Sequence, residues 1–127
     1  MFNMTVEGSF SAAHAIREYP GVCQRLHGHN YRVVVRLTGD KLDKLGMLVD
    51  YVDVKRALTE ALSSFDHRYL NEVDDFLEVN PTCEELARVI YRRFKAALLT
   101  TDDLRGRVAV ADVTIYESEK TGVGYGE

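Results

Sequence analysis

Four histidines are the residues best suited to chemistry: His14, His27, His29 and His67. Two of them form His27-Gly28-His29. In an extended backbone, residues i and i+2 lie on one face about 6.5–7 Å apart. Both imidazoles can then converge on one ion at zinc–nitrogen distances near 2.0–2.1 Å. Gly28 places no side chain on the opposite face. His14 closes the first predicted strand, and a hairpin between the first two strands would carry it to the same place. Three neutral imidazoles without a fourth protein ligand describe an open zinc site, whose last position takes water or substrate. A His-x-His pair alone is common by chance. The combination with its neighbours gives it weight.

Three further places could carry chemistry beside such a site. Cys23 precedes His27 by four residues, in Cys23-Gln24-Arg25-Leu26-His27. It reads either as a small buried hydrophobe or as a thiol whose thiolate is favoured by a nearby cation, and hence a base. Asp66-His67 reads either as a helix-terminal carboxylate beside a solvated ring or as a carboxylate that sets a histidine's tautomer. Glu117 ends a predicted strand. It is either an edge charge or a carboxylate able to accept two N–H bonds from a planar guanidine-like ring edge.

The elements that must position these residues follow from periodicity. Residues 3–13 alternate loosely, with Met4, Val6, Gly8, Phe10 and Ala12 on one parity, and predict a strand. Residues 30–38 are β-branched and end at Gly39-Asp40, predicting a second strand. Val54, Leu58, Ala61, Leu62 and Phe65 recur at helical spacing behind Asp50 or Asp53 as cap. Asn80-Pro81 predicts the start of a second helix, with proline in its first turn and Leu86, Val89, Ile90, Phe94 and Ala97 as its apolar stripe. Residues 107–117 return to strand period, and the Gly122–Gly126 tail can add a short strand. The order β-β-α-α-β-β predicts an α+β fold, a four-stranded antiparallel sheet with two helices on one face. The other face is expected to carry apolar side chains and to meet other subunits.

The 127 residues make a single domain, with ordinary apolar and charged fractions of 46% and 28%. The net charge of −4 disfavours nucleic-acid binding by bulk charge. No apolar run approaches the ~18 residues of a membrane span. Two cysteines do not make a disulfide scaffold. The N-terminus lacks the pattern of a signal peptide, so a reducing cytoplasm is the expected location.

Taken together, His14, Cys23-x-x-x-His27-Gly28-His29, Asp66-His67-x-Tyr69-Leu70-Asn71, Asn80-Pro81-Thr82 and Glu117 resemble the 6-pyruvoyltetrahydropterin synthase family. The three residues between Cys23 and His27 make them most similar to its 6-carboxytetrahydropterin synthase branch, which serves queuosine-precursor synthesis. The resemblance implies a tunnelling fold (T-fold) over residues 1–127, with two stacked trimers as a homohexamer. It implies Zn2+ on His14, His27 and His29, Cys23 as base, Asp66 and His67 as proton relay, and Glu117 and Thr82 as substrate contacts. The implied substrate is 7,8-dihydroneopterin triphosphate. The implied products are 6-carboxy-5,6,7,8-tetrahydropterin, acetaldehyde and triphosphate. Cys83 stands where the family more often has Ser or Thr.

Two other readings stay open. One is the sister activity, which eliminates triphosphate and keeps the three-carbon chain. The other is a non-catalytic pterin- or metal-binding oligomer.

Overall fold

The first two strands form a long hairpin whose far end carries the histidines. In the computed structural model, which describes residues 1–21 and 24–127, β1 (Phe2–His14) and β2 (His27–Gly39) pair antiparallel from Phe2↔Gly39 to His14↔His27. The helix α1 (Tyr51–Leu62) follows, then a two-residue strand β3 (Arg68–Tyr69), α2 (Cys83–Leu98), a short α3 (Asp102–Arg107), β4 (Ala109–Tyr116) and β5 (Gly122–Tyr125). The sheet order is β3-β1-β2-β4-β5. All four expected strands are present and mutually antiparallel, and both long helices cover one face. The sheet gains one member, β3, which runs parallel to β1 at Ala12 and Ala13.

Strand parity decides what is buried. In β2, Tyr31, Val33, Val35 and Leu37 are fully buried beneath the helices. Phe10 of β1 stacks on Tyr31, ring centroids 4.7 Å apart. Val113 and Ile115 of β4 continue this layer. Val54, Leu58 and Ala61 from α1, and Leu86, Ile90 and Phe94 from α2, close it from above. Each large apolar side chain so buried contributes about 1.5–3 kcal/mol relative to exposure.

The helix starts show why the chain turns where it does. Asp50 caps α1 by accepting from the Val52 N–H at 2.9 Å. Thr82 caps α2 by accepting from the Glu85 N–H at 3.3 Å. Pro81 therefore lies outside the helix, not in its first turn as expected. The cap hydroxyl sets the boundary, and the Pro81 carbonyl is left free for a side chain (below).

The outer face of the sheet differs from expectation. It is polar. Arg32 pairs with Glu7 at 3.1 Å and lies 4.0 Å over the Tyr116 ring, Arg36 pairs with Asp112 at 2.5 Å, and Ser11 donates to Asn30 at 2.7 Å. In β2 only Val34 interrupts the charged and polar parity of Arg32, Arg36 and Thr38. The apolar residues of each strand are used up on the helix side. Beyond β3, β1 has no strand beside its outer edge among the described residues.

Candidate metal centre

The hairpin register delivers three imidazoles to one point. His14 is the cross-strand partner of His27, and His29 is the partner of Ala12. His14, His27 and His29 share the inward parity of Tyr31, so all three rings emerge on the helix side. Their ring centroids lie 4.5–5.1 Å apart. One ligand atom from each, with one carboxylate oxygen of Glu117, falls within 4.8 Å of every other.

Hydrogen bonds to backbone carbonyls choose the tautomers. His14 Nδ1 lies 2.8 Å from the Pro81 oxygen, and His27 Nδ1 lies 2.7 Å from the Arg25 oxygen. A carbonyl only accepts, so each ring donates from Nδ1 and keeps an unprotonated Nε2. These two Nε2 atoms face each other at 2.9 Å. Two lone pairs at that distance repel unless a proton or cation lies between them. His29 Nε2 is buried and makes no aligned hydrogen bond, although Glu117 Oε1 approaches to 2.6 Å. Ligands bound 2.0–2.1 Å from a tetrahedral ion are roughly 3.3 Å apart, close to these spacings. The residues present therefore fit a divalent cation.

Electrostatics point the same way. Burial pushes the pKa of His14 below its usual value, and the neighbouring His27 adds to this against the opposing pull of Pro81 and Glu117. Burial likewise lowers that of His29. Neutral imidazole is the form that binds metal. The Tyr31 hydroxyl lies 3.3 Å from His14 Nδ1 and is held well above the usual phenol range by burial.

The segment leaving β1 is clamped. The Asn71 side chain accepts from Ala15 N–H at 2.9 Å and donates to Ala15 C=O at 2.8 Å. Asn80 does the same to Arg17, at 2.9 and 3.1 Å. Arg17 in turn donates to the carbonyls of Asn71 and Phe76 at 3.1 and 2.7 Å. The two asparagines of the sequence motifs thus hold the strand just after His14 through backbone-like bonds.

Glu117 is the residue whose place the sequence does not disclose. It stands one position beyond β4, on the parity of Ile115, and its backbone N–H donates to Thr121 C=O at 3.3 Å. Its Oε1 enters the histidine cluster, 3.6 Å from His14 Nε2. Its Oε2 accepts from the Cys83 thiol at 3.1 Å. Cys83 is buried, and desolvation, followed by Glu117 itself, drives its pKa far up.

Two concavities flank the cluster. One, about 390 Å3, is lined by His14, His27, Thr82, Cys83, Glu117 and Gly122 among others. Thr82 therefore faces the same space as Glu117. The other, about 540 Å3 and shallow, is bordered by His29, Asn30, His67 and Tyr69. His67 borders it, and the adjacent Asp66 lines a neighbouring concavity with Ser9 and Ser63. His67 Nδ1 lies 3.0 Å from Asp66 Oδ1, so the two side chains do form a pair. Asp66 also accepts from the Ser11 N–H at 3.0 Å, which, ahead of His67, lowers its pKa. His67 has φ of 58°, a left-handed conformation uncommon for non-glycine residues. Its N–H donates to Ser11 C=O at 2.6 Å. The pair is thereby pinned along the edge of β1. Cys23 lies outside the described residues.

The comparisons with known proteins bear on the family and the fold. Residues 3–127 match the family described as 6-pyruvoyl tetrahydropterin synthase. A Bacillus subtilis protein named 6-carboxy-5,6,7,8-tetrahydropterin synthase is 36% identical over 107 residues, covering 80% of this chain and 71% of the relative. An Archaeoglobus fulgidus protein named putative 6-carboxy-5,6,7,8-tetrahydropterin synthase is 41% identical over 88 residues, covering 68% and 70%. The structure of Caenorhabditis elegans 6-pyruvoyl tetrahydropterin synthase superposes with a TM-score of 0.83 at 28% identity, covering 98% of this chain and 94% of that one. Sequence motif, site geometry and fold converge, and the chain belongs to the 6-pyruvoyl tetrahydropterin synthase family.

Proposed function

We propose that this protein is a zinc-dependent 6-carboxy-5,6,7,8-tetrahydropterin synthase. It converts 7,8-dihydroneopterin triphosphate and water to the 6-carboxy product, acetaldehyde and triphosphate, for queuosine and related 7-deazapurines. The observation that carries this reading is the convergence of His14, His27 and His29 beside a cavity that also presents Glu117 and Thr82. The names borne by the Bacillus subtilis and Archaeoglobus fulgidus relatives support it.

His14, His27 and His29 would hold the ion through Nε2. Once bound, zinc supplies Lewis acidity toward the hydroxyl oxygens of the substrate's side chain, which acidifies the neighbouring C–H bonds. Glu117 receives the amino-pyrimidine edge through paired N–H bonds to its carboxylate. Thr82 keeps its hydroxyl hydrogen available to the substrate, because its oxygen serves the helix cap. Cys23, four residues before His27 in the sequence, removes the side-chain proton, as the family resemblance implies. Asp66 orients His67, which returns and relays protons during chain shortening. No external oxidant is needed, because oxidation of the side chain offsets reduction of the ring. The open backbone edge of β1 and the short edge strand β5 suit a homo-oligomer formed by strand pairing, with the hexamer as its expected form.

The test is product analysis. Zinc-loaded protein and 7,8-dihydroneopterin triphosphate should yield acetaldehyde and the mass of the 6-carboxy product. A product that has lost triphosphate but kept three side-chain carbons would assign the sister activity. Pterin and metal binding with no turnover would make the protein a binding oligomer.

A further inference from the structure

Glu117 has a task that its present position only half fulfils. With Oε1 2.6 Å from His29 Nε2, no ring fits between the carboxylate and the cluster. As the receiver of a pterin edge, the carboxylate must turn into the adjoining cavity. Something on the cavity side must then hold it in a defined orientation in both states.

The Cys83 side chain is in that place. It is the first residue of α2, fixed there by the Thr82 cap, and it lines the same cavity as Glu117. Its Sγ lies 3.1 Å from Glu117 Oε2. An ionised carboxylate only accepts, so the thiol is the donor. Each carboxylate oxygen then has its own neighbour, Oε1 the histidines and Oε2 the thiol. That division blocks free rotation about the last side-chain bond.

We propose that Cys83 is a positioning residue: its S–H tethers Glu117 Oε2 to the cavity wall, aiming Oε1 at the metal centre in the ligand-free protein and keeping the carboxylate poised for the incoming ring. This rests on the reading of Glu117 as the ring's receiver. It gives Cys83 no part as nucleophile or base. It also accounts for a side chain with a donor at this position, where a purely apolar one would pack as well.

The experiment compares Cys83→Ser, which keeps a donor, with Cys83→Ala, which does not. Two measurements are made on cobalt(II)-loaded protein: the visible ligand-field spectrum without pterin, and the dissociation constant of the fluorescent ligand pterin-6-carboxylate. Cys83→Ser should keep the wild-type bands and bind within about threefold of wild type. Cys83→Ala should shift the bands and bind about tenfold more weakly, as expected for loss of a hydrogen bond to a charged group. Wild-type behaviour of Cys83→Ala in both measurements would overturn the proposal. So would equal losses in the two variants, because packing alone would then explain them. Wild-type protein that takes up cobalt but binds no pterin would count against the proposed function, while the bands of the two variants would still decide the tether.

Discussion

His14 and His27 face each other across the β1–β2 ladder with their Nε2 atoms 2.9 Å apart, each ring turned by a bond from its Nδ1 to a backbone carbonyl. The sheet register supplies the proximity, and Pro81 and Arg25 supply the orientation. A backbone that dictates tautomers in this way holds metal-competent imidazoles before any ion arrives.

Removing one imidazole should therefore empty the site, whereas removing the thiol should not. His29→Ala is expected to lose both bound zinc and activity. Cys23→Ala is expected to keep its zinc and lose activity by about 10²–10⁴-fold, the range of a general base. Metal analysis of the dialysed variants checks this. Loss of zinc from Cys23→Ala would make the thiol a ligand.

The metal-free protein should weaken in mild acid. The pKa values of His14 and His29 are depressed in the fold, mainly by burial, below the 6.5 of the unfolded chain. Between those values the unfolded state binds more protons, so stability falls as pH drops below 6.5. Melting temperature measured with chelator present should decline from pH 7.5 toward about 5.5. Bound zinc should oppose the decline, because the ion competes with the same protons.

The relay pair should act on rate and leave the metal alone. Asp66→Asn keeps an oxygen for the Ser11 N–H but removes the charge beside His67. Turnover should fall by about 10²-fold or more, with one zinc per chain retained. Unchanged turnover would assign the pair to structure.

The asparagine clamps should couple stability to metal affinity. Asn71→Ala removes two bonds to Ala15 and leaves that backbone N–H and C=O without their partners. Urea unfolding should show a loss of about 2–3 kcal/mol. Zinc affinity, read by chelator competition, should fall with it, because Ala15 directly follows His14. Glu72→Gln, an exposed change on the same turn, serves as the control and should alter neither quantity.

Much of this centre is legible in the sequence, for a physical reason. Strand parity places His27 and His29 on one side, and a hairpin brings His14 to them without any long-range assumption. The apolar stripes of α1 and α2 are similarly local. Glu117 is different. Its place depends on how β4 registers against β2, and that register shifts at Arg36/Leu37 through an irregularity no local pattern marks. The two-residue β3 escapes for the opposite reason, being too short to have a period. The polar outer face is readable in principle, because Arg32, Arg36, Asp112 and Thr114 alternate with core residues. The expectation of an apolar face gives too much weight to β-branched content and too little to parity. Pro81 shows how a single capping hydroxyl, that of Thr82, moves a helix boundary by two residues and frees a carbonyl for His14.

X-ray absorption at the zinc edge of the metal-loaded protein tests the central claim most directly. Three imidazole nitrogens at about 2.0–2.1 Å, with any further scatterer an oxygen, is the result predicted here. A sulfur scatterer near about 2.3 Å, or fewer than three imidazoles, would contradict it.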